Sequence, residues 1–250
     1  MILYRNKLIR ILECWNEEKP DLQDADLIRR FQQSRPIDGM YCRDFYTILI
    51  NLHQVESVLL GRIKKDTRYE IKRAASEGFV YEMAPGNDSV VFNEFCDFYD
   101  EFAAHISQPK LRRAWLRLLA ASDTLQLSKI AEPAGPILVW HAYHRTKTRV
   151  TLLHSASLIP AGATSAWRNK IGRANRFQHW QDMLRFKDEI SLYDFGGWYE
   201  GKTDQKRLQI NRFKEEFGGE IVRNYICERA LTWKGAAFLR LRQLLLGNAI

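Results

Sequence analysis

The pattern of apolar and polar positions in residues 190–225 predicts the segment around which we expect the rest of the chain to be organised. Ile190–Phe195 is a short β-prone run that ends at two consecutive glycines, which is typical of a buried strand that stops where backbone freedom is needed. Apolar residues then recur at i, i+3 and i+7 from Ile210 and predict a helix, which a second glycine pair ends. Glu220–Ile226 predicts the next strand. This order is typical of a crossover connection, with a site at the end of its first strand.

The remaining patterns predict a mixed α/β order of elements. The expected elements are a strand at Asp44–Leu52, one long helix at Val55–Gly78, a strand at Phe79–Met83, helices at Val90–Ile106 and Pro109–Ala121, strands at Leu125–Ala131, Pro136–His144 and Arg149–Ser155, and helices at about Arg168–Lys187 and Arg229–Leu246. Short connectors join the three consecutive strands and predict an antiparallel meander. Residues 1–40 fit neither period. We expect a single domain at 44–250, with residues 1–43 packed on it.

Composition favours a globular chain with an anionic partner. A hydrophobic content of 46% over 250 residues is enough for a large core. Lys and Arg number 38 against 30 Asp and Glu, a net charge of +8. That surplus favours a phosphate-bearing cofactor, a nucleotide, RNA or a membrane surface.

Compartment and metal chemistry are constrained by what the sequence lacks. No apolar run approaches the roughly 20 residues of a membrane span, and early charges at Arg5, Lys7 and Arg10 do not fit a signal peptide. We therefore expect a cytoplasmic protein. The cysteines have no spacing typical of zinc or a redox couple, so we expect reduced thiols at Cys14, Cys42, Cys96 and Cys227.

The common nucleotide and zinc motifs are also missing. The sequence contains no GxxxxGK[ST], GxGxxG or HExxH, so nucleotide hydrolysis, dinucleotide redox chemistry and zinc proteolysis have no local support. His141 and His144 differ by three on a predicted strand and so point to opposite faces. His154 and Ser155 are adjacent and cannot form a nucleophile and base pair on one strand. We expect no metal.

Three segments, in this order, resemble a known family. They are Thr67–Ala74 in the long helix, Tyr193–Gly197 after the later strand, and Phe213-Lys214 followed by Phe217-Gly218 in the next helix. Together with the order of elements they resemble the acyl-CoA N-acyltransferase (GNAT) fold, in its Fem-like branch of peptidoglycan-bridge aminoacyltransferases and nucleotide-sugar N-acyltransferases. The resemblance covers roughly residues 44–226. It implies a mixed central sheet, flanked by helices, in which two strands splay apart to hold a thioester.

The resemblance implies an N-acyltransferase acting on small molecules. Peptidoglycan-bridge enzymes have two tandem GNAT-like domains, and 250 residues leave room for one, which favours a coenzyme A thioester as donor over aminoacyl-tRNA. The implied acceptor is the primary amine of an amino sugar, nucleotide-linked, in surface polysaccharide biosynthesis. Two alternatives stay open: a Fem-type aminoacyl-tRNA-dependent transferase acting on a peptidoglycan precursor, and a non-catalytic RNA- or protein-binding module using the Arg-rich helices.

Four residues are the catalytic candidates. The resemblance implies that Lys214 stabilises the oxyanion or holds the acceptor's phosphate, with Phe213 lining the acceptor pocket; a snorkelling surface lysine is the alternative. Asp194 follows a strand and precedes two glycines, where it can accept a proton from the amine or cap a turn. Tyr193 and Tyr225 can donate a proton to the departing thiolate, or belong to the core.

A basic segment takes the place of the glycine-rich pyrophosphate loop. It runs from Ser165 to Arg173, and its proposed contacts with coenzyme A are Arg168, Lys170, Ile171, Gly172 and Arg173. A helix start offers unpaired N–H groups and a positive dipole end, so a pyrophosphate could bind there. Arg68 and Lys72 share a face of the long helix with Lys65 and are candidates for a nucleotide phosphate. For both groups the alternative is a solvated surface.

Overall fold

The computed structural model describes residues 1–6, 8–15 and 24–247, with ten strands and seven helices among them. The elements are β1 Ile2–Asn6, β2 Ile9–Trp15, β3 Leu27–Gln33, β4 Tyr41–Asn51, α1 Glu56–Arg62, α2 Lys65–Ser76, β5 Val80–Pro85, α3 Ser89–His105, α4 Arg113–Ala121, β6 Leu125–Ala131, β7 Ile137–Arg145, β8 Arg149–Ser157, α5 Ser165–Phe186, β9 Leu192–Gly197, α6 Gln205–Glu215, β10 Glu220–Ala230 and α7 Trp233–Gly247. The chain divides into two compact units, Met1–Thr47 with Val222–Ile250, and Ile48–Ile221.

The first unit contains a small mixed sheet in the order β1-β2-β3-β10. β2 and β3 are parallel, and the other two pairs are antiparallel. Strand β3 carries Arg29, whose guanidinium bonds to the buried carboxylates of Glu13 (2.8 Å) and Glu228 (2.7 Å). Helix α7 packs Phe238 and Leu239 on this sheet. The segment for which the sequence predicts no element thus supplies three strands.

The second unit is a mixed sheet in the order β4-β9-β8-β7-β6-β5, flanked by helices. Strands β5 to β8 form the antiparallel meander that the sequence predicts, and β8 pairs with β9 in parallel. Strand β7 is buried along nearly its whole length, and its first four residues, Ile137–Trp140, form an apolar run. Helix α5 packs Ala174, Phe177 and Trp180 into the main core.

The predicted single helix at Val55–Gly78 is wrong, because the chain breaks into α1 and α2. Ile63 and Lys64 are extended, with ψ of 137° and 145°. The Lys64 N–H donates to the carbonyl of Glu216, 2.8 Å away, instead of to a carbonyl one turn earlier. The guanidinium of Arg68 bonds to the carbonyls of Gly61 (3.0 Å) and Ile63 (2.6 Å), which satisfies two acceptors that the end of α1 leaves free.

The prediction of four reduced thiols is also wrong. Cys42 and Cys227, both in the first unit, form a disulfide across a sequence separation of 185 residues, and only Cys14 and Cys96 are free. Spacing along the chain could not reveal this pair, because the fold brings the two residues together from nearly opposite ends. Among the described residues, no helix is long and apolar enough to cross a membrane.

Candidate active site at the end of strand β9

The candidate site begins where β8 and β9 separate. The two strands pair over three residues each, from Arg149 opposite Leu192 to Thr151 opposite Asp194. Strand β8 then continues to Ser157 and has no further paired residue on β9 in this part of the described chain. The expected splayed strand pair is confirmed, and Asp194 lies at its fork.

The carboxylate of Asp194 holds the fork together. It is fully buried, and its Oδ2 accepts hydrogen bonds from Arg149 Nε (2.9 Å), Arg149 Nη2 (2.7 Å) and Thr151 Oγ1 (3.1 Å). Its Oδ1 accepts from the backbone N–H of Gly196, 2.8 Å away. These donors join the start of β8 to the turn at the end of β9. The arrangement makes Asp194 an ion-pair partner and an anchor for the turn.

Glycine is required at the turn that follows. Gly196 has φ of +71°, and a side-chain Cβ there would lie 2.8 Å from the carbonyl oxygen of Leu152. Both features exclude an ordinary side chain. The turn directs the carbonyls of Gly196 and Gly197 towards α6.

Lys214 on α6 bonds to both of these carbonyls. Its Nζ lies 2.5 Å from the Gly197 oxygen and 3.3 Å from the Gly196 oxygen. The residue is only 8% exposed, so it is not a snorkelling surface lysine. Burial lowers the pKa of Lys214 from 10.5 to about 8, and the negative charge of Asp194 opposes the shift. At neutral pH the group is an ammonium with three donors, of which two are bound to backbone.

A cavity of about 390 Å³ opens beside Lys214. Its lining combines Trp198 and Tyr199 with Arg207, Ile210, Asn211 and Lys214. Asn211 fixes the loop to the helix, since its side chain accepts from the Tyr199 N–H (3.1 Å) and donates to the Tyr199 carbonyl (2.7 Å). The loop and the helix therefore form one rigid wall.

Phe213 lies in an aromatic cluster behind Lys214. Its ring centre is 5.5 Å from that of Phe217 and 5.6 Å from that of His179, and the guanidinium of Arg176 lies 5.1 Å from it. Phe213 does not line the 390 Å³ cavity. It supports the helix that carries Lys214.

Tyr193 belongs to a buried polar network that the sequence does not predict. Its hydroxyl lies 2.6 Å from both Tyr143 Oη and His179 Nδ1. Tyr143 donates to Asp182 Oδ2 at 2.6 Å. Asp182 also bonds to His141 Nδ1 (2.8 Å) and Tyr81 Oη (2.9 Å). We call these six residues the Asp182 network: Tyr81, His141, Tyr143, His179, Asp182 and Tyr193.

Burial disfavours the charged forms of Tyr143, Tyr193 and His179. It raises the pKa of Tyr143 and Tyr193 well above 10, and the nearby Asp182 charge adds to the effect. Burial lowers the pKa of His179 well below 6.5, with the nearby His141 as the next contribution. Neutral tyrosines can donate to Asp182. Tyr193 is thus engaged inside the core.

His141, His179 and Asp182 are the one metal-ligand set in the described residues, since their donor atoms lie within 4.8 Å of one another. The hydroxyl of Tyr143 lies 3.1 Å from His141 Nδ1 and 2.6 Å from Asp182 Oδ2, and these two atoms are themselves 2.8 Å apart. An ion bound to them would have to break these hydrogen bonds. His141 Nε2, in contrast, is buried without a hydrogen-bond partner among the described residues.

The basic residues expected to bind coenzyme A are largely paired within the protein. They lie in the first turns of α5, where Thr164 caps the helix by accepting from the Trp167 N–H. Lys170 bonds to Glu132 (2.8 Å), and Arg173 bonds to Glu77 (2.9 Å). Arg168 donates to the Ala163 carbonyl, 2.7 Å away.

The other two residues of that segment have structural contacts. Ile171 is part of the core, and the Gly172 carbonyl accepts from Arg176 Nη1 at 3.1 Å. Of the substrate-binding candidates, Arg68 caps α1 as described, and Lys72 is exposed on α2. Tyr225 lies on β10 in the first unit, opposite Gln33, with the Arg223 guanidinium 5.3 Å from its ring centre.

The structure therefore brings Asp194 and Lys214 to one turn and places Tyr193 in the adjoining core. Sequence reasoning missed Arg149 and Asn211, which hold the fork and the pocket wall. Asn211 had a signal, since it is a polar residue three positions before Lys214 on the same helical face. Arg149 had none, because its partner is 45 residues away.

Comparison with known proteins identifies the fold. No protein-family model matches the chain, and no curated protein sequence matches it. FemX, a solved structure, is 11% identical, with a TM-score of 0.64 over 82% of this chain and 72% of FemX.

Two further solved structures are also similar. The C-terminal domain of a putative lysylphosphatidylglycerol synthetase from Agrobacterium fabrum is 12% identical, with a TM-score of 0.59 over 97% of this chain and 84% of that domain. L-PGS from Bacillus licheniformis is 12% identical, with a TM-score of 0.51 over 86% of this chain and 72% of that protein. At these identities the similarity establishes the fold, which is GNAT-like and Fem-like.

Proposed function

We propose that this protein is an N-acyltransferase that moves an acyl group from a coenzyme A thioester to a primary amine at the Lys214 cavity. The observation that carries the proposal is the buried Lys214 ammonium, fixed by the Gly196 and Gly197 carbonyls at the fork of β8 and β9. A fixed cation in a largely dehydrated site is suited to a negative charge that develops during reaction. The Fem-like fold supports a transferase of this kind.

The proposed step needs no covalent enzyme intermediate. The neutral amine attacks the thioester carbonyl carbon, a C–N bond forms, and the carbonyl oxygen becomes an oxyanion. The third donor of the Lys214 ammonium stabilises that oxyanion. Collapse breaks the C–S bond, and coenzyme A leaves as a thiolate that takes up the proton lost by the amine.

The cavity suits a nucleotide-linked amino sugar as acceptor. Trp198 offers an aromatic face for a sugar or base. Arg207, which lies 5.3 Å from the centre of the Tyr199 ring and pairs with Asp204, offers a cation for a phosphate. Asn211 supplies polar atoms on the same wall. We place the reaction in surface polysaccharide biosynthesis, as the sequence resemblance implies.

The structure changes the roles proposed for the other candidates. Asp194 accepts hydrogen bonds from Arg149, Thr151 and Gly196, so we propose that it positions the turn and is not the general base. Tyr193 is fixed in the Asp182 network, and we propose that it supports β9. We propose no catalytic role for Tyr225.

An aminoacyl-tRNA donor is the second candidate. Glu132 and Glu77 pair with Lys170 and Arg173, the cations proposed for the pyrophosphate of coenzyme A. That pairing reduces the free positive charge at the start of α5 and weakens the argument for a coenzyme A donor. Transfer from an aminoacyl ester would use Lys214 in the same way, with a ribose hydroxyl leaving in place of the thiolate.

The cytoplasmic location expected from the sequence is part of this proposal. The Cys42–Cys227 disulfide is a contrary indication, because disulfides are uncommon in reducing compartments. Alkylation of the protein in intact cells, followed by mass spectrometry, tests the location. A pair that is mainly oxidised contradicts a reducing compartment.

Acyl-transfer assays test the reaction. Purified protein is incubated with coenzyme A thioesters and nucleotide amino sugars, and in parallel with aminoacyl-tRNA and the same acceptors. We expect turnover with a thioester, and a loss in kcat/KM of about 100-fold or more in Lys214→Ala, as for other oxyanion donors. Lys206→Ala removes an exposed lysine from the same helix and serves as the matched control. Full activity in Lys214→Ala contradicts the proposed role, and turnover with aminoacyl-tRNA alone favours the second candidate.

A further inference from the structure

A stripe of apolar side chains faces solvent along α7 in the first unit. Trp233 is 77% exposed, Leu241 59% and Leu244 67%, and Ala237 between them is also exposed. At about 100° per residue, these four positions fall within about 80° of one another around the helix axis. We call them the α7 stripe.

The α7 stripe is not the face by which the helix packs. Phe238 and Leu239 pack on the cluster of Ile9, Ile11 and Leu27. The helix therefore has apolar residues on two sides, one buried in the described fold and one exposed. Leaving large apolar groups exposed along one face is typical of an interaction surface.

Basic residues flank the stripe on both sides. Relative to Trp233, Arg240 lies about 20° to one side and Lys234 about 100° to the other, at or beyond the edges of the stripe. Both are exposed. Arg242, in contrast, forms an ion pair with the buried Glu228. The exposed face thus has an apolar centre and cationic edges.

We propose that the α7 stripe binds the surface of an anionic lipid bilayer, with α7 lying in the plane of the interface. Leucines enter the acyl boundary, the indole of Trp233 sits at the headgroup level, and Lys234 and Arg240 contact lipid phosphates. The net charge of +8 adds long-range attraction to an anionic surface.

Charge and apolar pattern favour this partner over others. RNA would engage the cations and the indole but would leave Leu241 and Leu244 exposed. A second copy of the chain would cover the leucines, but a symmetric contact through this face would bring the same cationic edges close to each other. The inference is independent of the proposed acyl transfer.

Co-sedimentation with vesicles tests the proposal. The full chain is mixed with vesicles of phosphatidylcholine containing about a third phosphatidylglycerol, and with vesicles of phosphatidylcholine alone. We expect sedimentation with the anionic vesicles, and at least about tenfold weaker binding for Leu241→Ser/Leu244→Ser and for Lys234→Ser/Arg240→Ser. Val90→Ser, which removes an apolar side chain that is 75% exposed on α3, is expected to bind as the wild type does.

Three results would overturn the proposal. The first is equal sedimentation with both kinds of vesicle, or none with either. The second is unchanged binding by the leucine variant. The third is a wild type that does not bind vesicles but forms another complex through this face. That complex would be a dimer in light scattering, or a salt-dependent complex with RNA, and the leucine variant or the basic variant would abolish it. Circular dichroism of each variant verifies that an exposed substitution leaves the fold intact.

Discussion

Arg149, in the first of the three residue pairs that join β8 to β9, forms a buried ion pair with Asp194, in the last. The shortest contact, between Arg149 Nη2 and Asp194 Oδ2, is 2.7 Å, and the two side chains are 6% and 0% exposed. The same carboxylate bonds to Gly196, whose carbonyl contacts Lys214. The Asp194 carboxylate therefore contributes both to stability and to the geometry of the proposed active site.

Breaking this ion pair is expected to cost about 3–5 kcal/mol of unfolding free energy, because each single substitution leaves a buried charge without its partner. We expect that loss in Asp194→Leu and in Arg149→Met, and a much smaller loss in the double variant. Urea unfolding of the four proteins measures the coupling. If the turn also positions Lys214, the double variant should recover unfolding free energy but not acyl-transfer activity. If the two single losses in unfolding free energy simply add in the double variant, the ion pair is contradicted.

Lys214→Met is expected to raise stability while it abolishes the proposed activity. The folded pKa of about 8 lies below the unfolded value of 10.5, so the unfolded chain binds more protons between these pH values. The free energy of unfolding should therefore rise with pH from 8 to 10.5 in the wild type, and below pH 8 the buried ammonium costs up to about 3 kcal/mol.

Urea unfolding at pH 7 and pH 10 measures this effect. We expect the unfolding free energy of the methionine variant to exceed that of the wild type by about 1–3 kcal/mol at pH 7. At pH 10 the difference should be smaller, because Lys214 is then mostly neutral in the folded protein and its burial is less unfavourable. A variant that is less stable at pH 7 would show that the bonds to the Gly196 and Gly197 carbonyls outweigh the burial of charge.

Asp182→Ala is expected to destabilise the protein by at least about 3 kcal/mol, since it leaves three buried or partly buried partners without their acceptor. Tyr81→Phe removes one of those bonds and leaves the others, and about 1 kcal/mol is expected. Thermal and urea unfolding compare the two. Equal effects would mean that the network does not depend on its carboxylate.

Reduction of the Cys42–Cys227 disulfide is expected to lower the free energy of unfolding by about 2–5 kcal/mol, because the bond closes a long loop in the unfolded chain. Unfolding curves with and without reductant measure the loss. Cys42→Ala/Cys227→Ala should be insensitive to the reductant, whereas Cys14→Ala should respond as the wild type does. If reductant leaves the unfolding free energy of the wild type unchanged, the disulfide is contradicted.

Local patterns predicted most elements of the second unit and failed where distant residues decide the structure. The spacing of Ile210, Phe213 and Phe217 predicted α6, and the Gly196-Gly197 pair predicted the end of β9, because both signals lie within one element. The break between α1 and α2 depends on the Glu216 carbonyl, which no local period reports.

Buried polar residues are the reason why the sequence patterns did not predict strand β3 and the Asp182 network. Strand β3 carries Arg29 between two buried glutamates, so its alternation of apolar and polar residues is lost. The members of the Asp182 network come from α5 and three different strands, and no local pattern links them. Only the folded chain shows that their polar atoms converge.

The hydrogen bonds of Glu216 fix one end of the helix that lines the proposed acceptor pocket. Besides the Lys64 N–H, Glu216 accepts from Thr67 (2.9 Å) and Arg176 (2.9 Å), so the C-terminal end of α6, next to Lys214, is tied to α2 and α5. The loop at 198–204 lies at the opposite end of that helix and contributes Trp198 and Tyr199 to the cavity lining. Under the proposed function, substitutions in this loop would change which amines bind, in natural or in directed evolution. The Lys214 ammonium would meanwhile keep its position at the fork of β8 and β9.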